Sequence, residues 1–281
     1  MITARHRIRF TATTEIRMPF DDLGLIMMRG GQHPDAPSEE MLPSTVRDAV
    51  ELADGSVVRG ISEPSPLWFI ETPDLKILID SGLRSTHVDH ANRIFRERGD
   101  RQFYIALDDD PATFLNRCGT TPDDIDVVIL THLHLDHFPN IAEFTNARVL
   151  AHAEELLVAL FPDAGERYHW PEFRPYLFDA IPRIEVVRGD MEVCPGVQIW
   201  HGGGHSPGQL LVAVETALGT TLLASDFFNT YRNIEHSWPP GICTNLDEWE
   251  TNARRFKLAA DVIVPGHDWA VWDQFPNGVI G

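Results

Sequence analysis

Cysteine is scarce. Cys118, Cys194 and Cys243 are the three in 281 residues, far apart and without a C-x-x-C pair, so neither a disulfide framework nor a thiolate zinc site is suggested. A reducing compartment is consistent with that usage. Long apolar runs are missing too: no stretch approaches the roughly eighteen residues a membrane span requires. The opening MITARHRIRFTATTEIRMPF alternates apolar and polar residues without the apolar core of a signal peptide. The expectation is a cytoplasmic protein with no membrane partner. Positive charge is the third shortage. Against 42 Asp and Glu stand 23 Lys and Arg, a formal net charge of −19, which repels phosphate backbones and anionic surfaces over any long approach. Nucleic acid is therefore not an expected partner. No G-x-G-x-x-G or G-x-x-x-x-G-K loop occurs, so nothing supports binding of a dinucleotide or nucleoside triphosphate.

What the chain does have is a succession of short apolar segments. Ile8 to Met28 patterns as a strand or two, and Leu67 to Ile70 and Lys76 to Ile79 pattern as a hairpin around a TPDL turn. Val127 to Leu130 reads as a buried strand, and ARVLAH, VQIWH, LLVAVET, TTLLAS and DVIVP as further strands. Helical spacing falls on Val88 to Arg98, Asp110 to Asn116 and AEELLVALF. Asp247 with Glu250 predicts a capping box, ahead of a helix carrying Trp249, Ala253, Phe256 and Ala260 on one face. The stretch at about 29–65, rich in Pro, Gly, Ser and acids, reads as an irregular, lid-like excursion within a single domain over 1–281. Strands from end to end with helices between them favour an α/β sandwich of two sheets with helices outside, although pattern alone leaves a single wound sheet open.

The chemistry is concentrated in ILTHLHLDHFPN, which sets His132, His134, Asp136 and His137 within six positions after an apolar strand. Imidazole nitrogens and carboxylate oxygens are ligands of zinc and related divalent ions. His132 and His134, two apart on extended backbone, point to one side, and Asp136 and His137 follow as the chain turns. A lone histidine is more often a core or surface residue than a ligand, but four ligand types on one turn reverse those odds. Three later segments each place a ligand-type residue after a strand and beside small or turn-forming residues: GGGHSPG with His205, LLASDFF with Asp226, and VIVPGHD with His267. Glycine there lets the backbone turn and approach a metal closely. Five histidines and two aspartates suffice for two metal ions with one bridging carboxylate and open positions for water.

These motifs resemble the metallo-β-lactamase-fold hydrolases, whose signature is H-x-H-x-D-H followed by a distant His, Asp and His. The surroundings THLHLDH, EFTNARVLAH, RGDMEVCPGVQIW, GGGHSPGQLLVAVET and PGHD are most similar to the N-acyl homoserine lactonase branch. The resemblance implies an αββα sandwich of two mixed sheets flanked by helices. It implies that His132, His134 and His205 hold one divalent metal ion, Asp136, His137 and His267 a second, with Asp226 bridging. Zinc comes first, with manganese, iron or cobalt as alternatives. It also implies that a metal-bridging hydroxide opens a lactone ring, with Asp136 orienting the nucleophile and passing a proton to the leaving group. The alternative is a cyclic amide, a thioester or another activated acyl substrate at the same site. Relatives that reduce oxygen at iron carry an acidic residue where this chain has His134, which weighs against redox chemistry.

One departure stands out. That branch places a tyrosine three residues after the bridging aspartate, where this chain has Asn229, so Asn229 or the nearby Tyr231 is expected to support the substrate carbonyl. Met28, Phe138, Phe227, Phe228, His236 and Trp238, with Met27 and Leu42, are candidates to line a pocket for a small acyl substrate. His152, His169 and His201 are given no metal role. A homodimer is the assembly to test for.

Overall fold

Leu67, Trp68, Phe69 and Ile70 are all buried, and a strand without a polar face has to be covered on both sides. In the computed structural model of the protein, which describes residues 5–20, 44–98, 104–162 and 171–281, that demand organises the architecture. A first sheet holds β1 (Arg7–Pro19), β2 (Val46–Glu51), β3 (Val57–Glu71), β4 (Lys76–Ile79), β5 (Tyr104–Leu107), β6 (Val127–Ile129), β7 (Arg148–His152) and β8 (Ile184–Val187). A second holds β9 (Met191–Cys194), β10 (Val197–His201), β11 (Leu210–Thr216), β12 (Gly219–Leu223) and β13 (Val262–Val264), while β14 (Val279–Ile280) returns to the first. Among the described residues the first sheet runs β14-β1-β3-β4-β6-β7-β8, with β2 on β3 and β5 on β1, and the second runs β13-β12-β11-β10-β9. Both are mixed: β4, β6, β7 and β8 pair in parallel, as do β12 and β13, and the other pairings are antiparallel.

Alternation along the strands sorts residues into layers. Trp68, Ile70, Ile77, Ile79, Val127 and Ile129 meet Ile199, Leu210, Val212, Val214 and Val264 between the sheets. Their neighbours Leu67, Phe69, Leu78 and Val128 face the other way, against α1 (Ser85–Arg98), α2 (Pro111–Arg117) and the segment of Phe173 and Leu177 that enters α4 (Arg174–Phe178). Between those helices in sequence lies α3 (Ala153–Leu160). On the far side of the second sheet, Leu211, Ala213 and Leu222 are covered by Trp249, Ala253 and Phe256 of α6 (Leu246–Ala259). Two short helices, α5 (Tyr231–His236) and α7 (Ala270–Gln274), follow strand ends of the second sheet. The order is helix, sheet, sheet, helix, the αββα sandwich. No helix among the described residues is long and apolar enough to cross a membrane.

Several expectations need correcting. The irregular excursion placed at about 29–65 lies outside the described residues up to position 43, as does Met28 just before it. From 46 onward it is sheet, β2 and β3 joined by a short turn. β2 pairs with β3, and β3 pairs with β1 from Arg7↔Glu71 to Pro19↔Gly60. Pattern missed this because the polar residues of 57–66 carry no alternation, whereas partner strands supply their hydrogen bonds regardless of side chain. Asp247 does not cap α6. Asn245 is its N-cap, with the side chain accepting from the Glu248 amide, so the helix begins two residues earlier.

Candidate metal centre

The residues singled out from sequence converge at strand ends of both sheets. His132 to His137 follow β6, His205 follows β10, Asp226 follows β12 and His267 follows β13. One ligand atom from each of His132, His134, His205 and Asp226 lies within 4.8 Å of the others, and the same holds for Asp136, His137 and His267. All seven are buried. Asp226 joins the two groups. Its Oδ2 faces His132 Nε2 at 3.9 Å and His205 Nε2 at 3.6 Å, while its Oδ1 faces His137 Nε2 at 3.2 Å and His267 Nε2 at 2.9 Å.

Outer partners aim the rings. His137 Nδ1 is 2.8 Å from Asp80 Oδ2, His267 Nδ1 is 2.9 Å from the Pro64 carbonyl, and His205 Nδ1 is 2.8 Å from the Ile242 carbonyl. Each leaves Nε2 turned inward. His134 offers Nδ1 instead, 3.0 Å from His205 Nε2. Ser65 Oγ donates to Asp136 Oδ2 at 2.9 Å. Asp80 and Ser225 hold left-handed backbone, φ 62° and 47°, a conformation that costs about 1–3 kcal/mol in a non-glycine residue and collects at functional sites. Asp80 also accepts from the Thr131 amide at 2.8 Å and its hydroxyl, so it aligns the loop that starts the cluster.

Whether a metal fits can be judged from unsatisfied atoms. Among the described residues, His132 Nε2 and His137 Nε2 are buried and make no hydrogen bond, an arrangement rare in native interiors unless something else occupies the lone pair. Charge agrees with this. Burial first, then His137, holds His132 well below the ordinary histidine range. Burial works against charge on His137 as well, but Asp136, Asp226 and Asp80 outweigh it and hold this ring well above that range. Burial likewise opposes ionisation of Asp226, and His267, His137 and His132 overcome it, so its carboxyl sits well below the carboxylate range. His267 is raised to about 9, burial being outweighed by Asp226 and Asp136. Nitrogen and oxygen donors concentrated around a cation-favouring carboxylate suit divalent metal.

Other expectations fare differently. Phe227 and Phe228 are 0% exposed and pack on Trp249, and Phe138 is buried among the residues under α1 and α2. All three pack in the core layers. His236 and Trp238 stack at 4.4 Å at the end of α5 and join neither ligand group. Met27, Met28, Leu42 and His169 lie outside the described residues. Tyr231 donates its hydroxyl to Gln274 of α7, and its phenol is raised by burial and then by Asp268. Asn229 is tied in by its backbone carbonyl, which accepts from the His267 amide at 2.7 Å. Its buried side-chain oxygen has no hydrogen-bond partner among the described residues. A third group, His152, Glu154 and His201, also brings ligand atoms within 4.8 Å. Its two rings stack at 4.1 Å and 8°, so their in-plane lone pairs run side by side. His152 Nδ1 is committed as the cap of α3, accepting from the Glu154 amide.

Sequence reasoning missed Asp80, Ser65 and Glu63. Burial pushes Glu63 up to about 7, with His267 opposing and Asp226 and Asp136 adding, which places it within electrostatic reach of the cluster. The signal available for Asp80 was its position at the end of an apolar strand in ILIDSGL. The glycines make the turn expected of them, with φ 55° at Gly203 and 72° at Gly204. A Cβ on Gly204 would fall 2.7 Å from Trp249 Cβ, so the GGG run also lets the His205 loop pack on α6. Gly266 plays the same part for the His267 loop, since a Cβ there would sit 2.5 Å from the Ser225 backbone.

Comparison with known proteins agrees with this geometry. The family model described as the metallo-beta-lactamase superfamily matches residues 63–267. The N-acyl homoserine lactonase AiiA of Bacillus thuringiensis subsp. kurstaki is 33% identical over 180 residues, spanning 62% of this chain and 68% of that protein. Among solved structures, a B. thuringiensis AiiA variant with N-decanoyl-L-homoserine bound at the active site superposes with a TM-score of 0.71 at 23% identity, covering 97% of each chain. AidC, a dizinc quorum-quenching lactonase in complex with a product, gives 0.66 at 15% identity, covering 96% of this chain and 90% of that one.

Proposed function

The chain belongs to the metallo-beta-lactamase superfamily, and on that premise we propose that it is a dinuclear metal-dependent hydrolase that opens a lactone ring. The observation that carries this reading is Asp226, one oxygen turned to each group of histidines. His132, His134 and His205 would hold one divalent ion, Asp136, His137 and His267 the second, and Asp226 both. Zinc is the first choice for such donors, with manganese, iron or cobalt as alternatives. When bound, the ions supply a water acidified toward neutrality and positive charge for the acyl oxygen.

The remaining work falls to side chains. The Asp136 carboxylate, fixed by the Ser65 hydroxyl, orients the attacking water, takes its proton and returns it to the alkoxide as the ring opens. Asn229, held beside His267 through its own carbonyl, turns its amide N–H to the acyl oxygen, a role Tyr231 is poorly placed to share while its hydroxyl serves Gln274. Low exposure of all seven ligand residues keeps bulk water from screening the charges that develop. The partner is a small acyl compound, an acyl homoserine lactone or a catabolic lactone.

The test is metal content by elemental analysis, followed on the same sample by pH-stat hydrolysis of lactones with short and long acyl chains and fused rings. The expected result is about two metals per chain and turnover of one lactone class, abolished by chelation and restored by added metal. Absence of metal-dependent turnover on every lactone would sink the reading. Asn229 in place of tyrosine favours one runner-up, a cyclic amide or thioester at the same site, and matched lactam and thioester analogues separate it.

A further inference from the structure

Glu155, in the first turn of α3, is 1% exposed, and carboxylates are almost never buried to that degree without partners. Its oxygens serve two loops at once. Oε1 accepts the Leu133 amide at 2.9 Å, while Oε2 accepts the Ser206 hydroxyl at 2.8 Å and the Gly208 amide at 3.0 Å. Leu133 stands between His132 and His134, and Ser206 directly follows His205. One carboxylate therefore fastens both loops that bear the three histidines of the first group. Contact is close as well as directional: a Cβ on Gly208 would fall 2.4 Å from Glu155 Cβ, so the glycine of HSPG is what allows the loop to reach the helix. The second group is fastened by Asp80 on His137, Ser65 on Asp136 and the Pro64 carbonyl on His267, with Asp80 also reaching His132 through the Thr131 hydroxyl.

We propose that Glu155 is a positioning residue for the first metal position, binding both of its loops and no ligand of the second. Charge-assisted hydrogen bonds to backbone amides hold a loop more firmly than neutral ones. Partners one step removed from a metal typically change its affinity 10- to 100-fold when lost. The proposal rests on the dinuclear reading, but its readout is metal binding and not turnover.

The experiment uses the full-length chain loaded with zinc, with metal content and chelator competition measured for wild type, Glu155→Gln and Ser206→Ala. Gln keeps the volume but replaces an acceptor oxygen with an N–H₂ group that faces a donor. Wild type is expected to hold two ions. Glu155→Gln should hold one with unchanged affinity and the other about 10- to 100-fold more weakly, with the metal-free unfolding transition kept. Ser206→Ala, which removes one of the three bonds, should weaken the same ion by less, and it carries the test if Glu155→Gln does not fold. Equal weakening of both ions, or no change in either, overturns the assignment. A wild-type chain that binds fewer than two ions overturns the dinuclear reading and this assignment together.

Discussion

Asp226 is asked to face two groups of histidines, and it does so with both oxygens while 6% exposed. Removing it leaves His132, His137, His205 and His267 buried around an empty position. Asp226→Ala is expected to lose both metals and at least a thousandfold in turnover, read by elemental analysis and hydrolysis on one preparation. Retention of two ions would remove the bridge from the site. Asn229 is a different kind of residue, bonded to the His267 backbone but to none of the seven ligand side chains. Asn229→Ala should keep both metals and lower kcat by about 10- to 100-fold if its amide supports the acyl oxygen. Unchanged kinetics would take it out of the mechanism. All seven ligand-type residues could be picked out from the sequence because their spacing after apolar strands is a local property. Ser65 and Glu63 could not, since each has its effect through a side chain far away in the chain, and Asp80 offered only its place at a strand end.

Helix α6 is the element that keeps the His205 loop in place. Trp249 is 1% exposed, stacks on Phe227, donates its indole N–H to the Phe227 carbonyl at 2.8 Å and lies under Gly204. Trp249→Ala is expected to cost about 3–5 kcal/mol in urea unfolding, whereas Asn245→Ala, which removes only the N-cap bond to Glu248, should cost about 1 kcal/mol. Equal costs would mean that the cap and not the packing anchors the helix. The apolar face of α6 was legible from its 3.6-residue spacing. Its start was not, because Asn and Asp cap equally well and Asn245 and Asp247 stand only two residues apart, so the choice between them is settled by where the backbone turns. The same reasoning applies to β3, whose polar first half becomes strand because β1 and β2 pair with it.

At the scale of the whole molecule, acid should loosen the layer outside the first sheet. His87 of α1 packs edge-on against Tyr176, 4.6 Å between centroids, and burial, then Arg84, then His90 lower it to about 4. The folded pKa lies below the ordinary value near 6.5, so the unfolded chain takes up the proton first. The stability contributed is fully present above about pH 6.5 and is lost as pH falls toward 4. Between pH 7 and 5, wild type is expected to lose on the order of 1 kcal/mol more than His87→Gln in denaturant unfolding, solvent screening allowed for. Identical pH slopes would show that the ring titrates freely. By itself the sequence determined the candidate donors, the strand ends that carry them, the apolar runs that call for cover on both faces and the net charge of −19. All of these depend on residue type and short-range spacing. Only the tertiary structure decided which oxygen of Asp226 faces which histidines, that Glu155 binds two loops, and that Phe227 and Phe228 pack the core. A side chain's burial and direction depend on partners that folding brings from tens to hundreds of residues away.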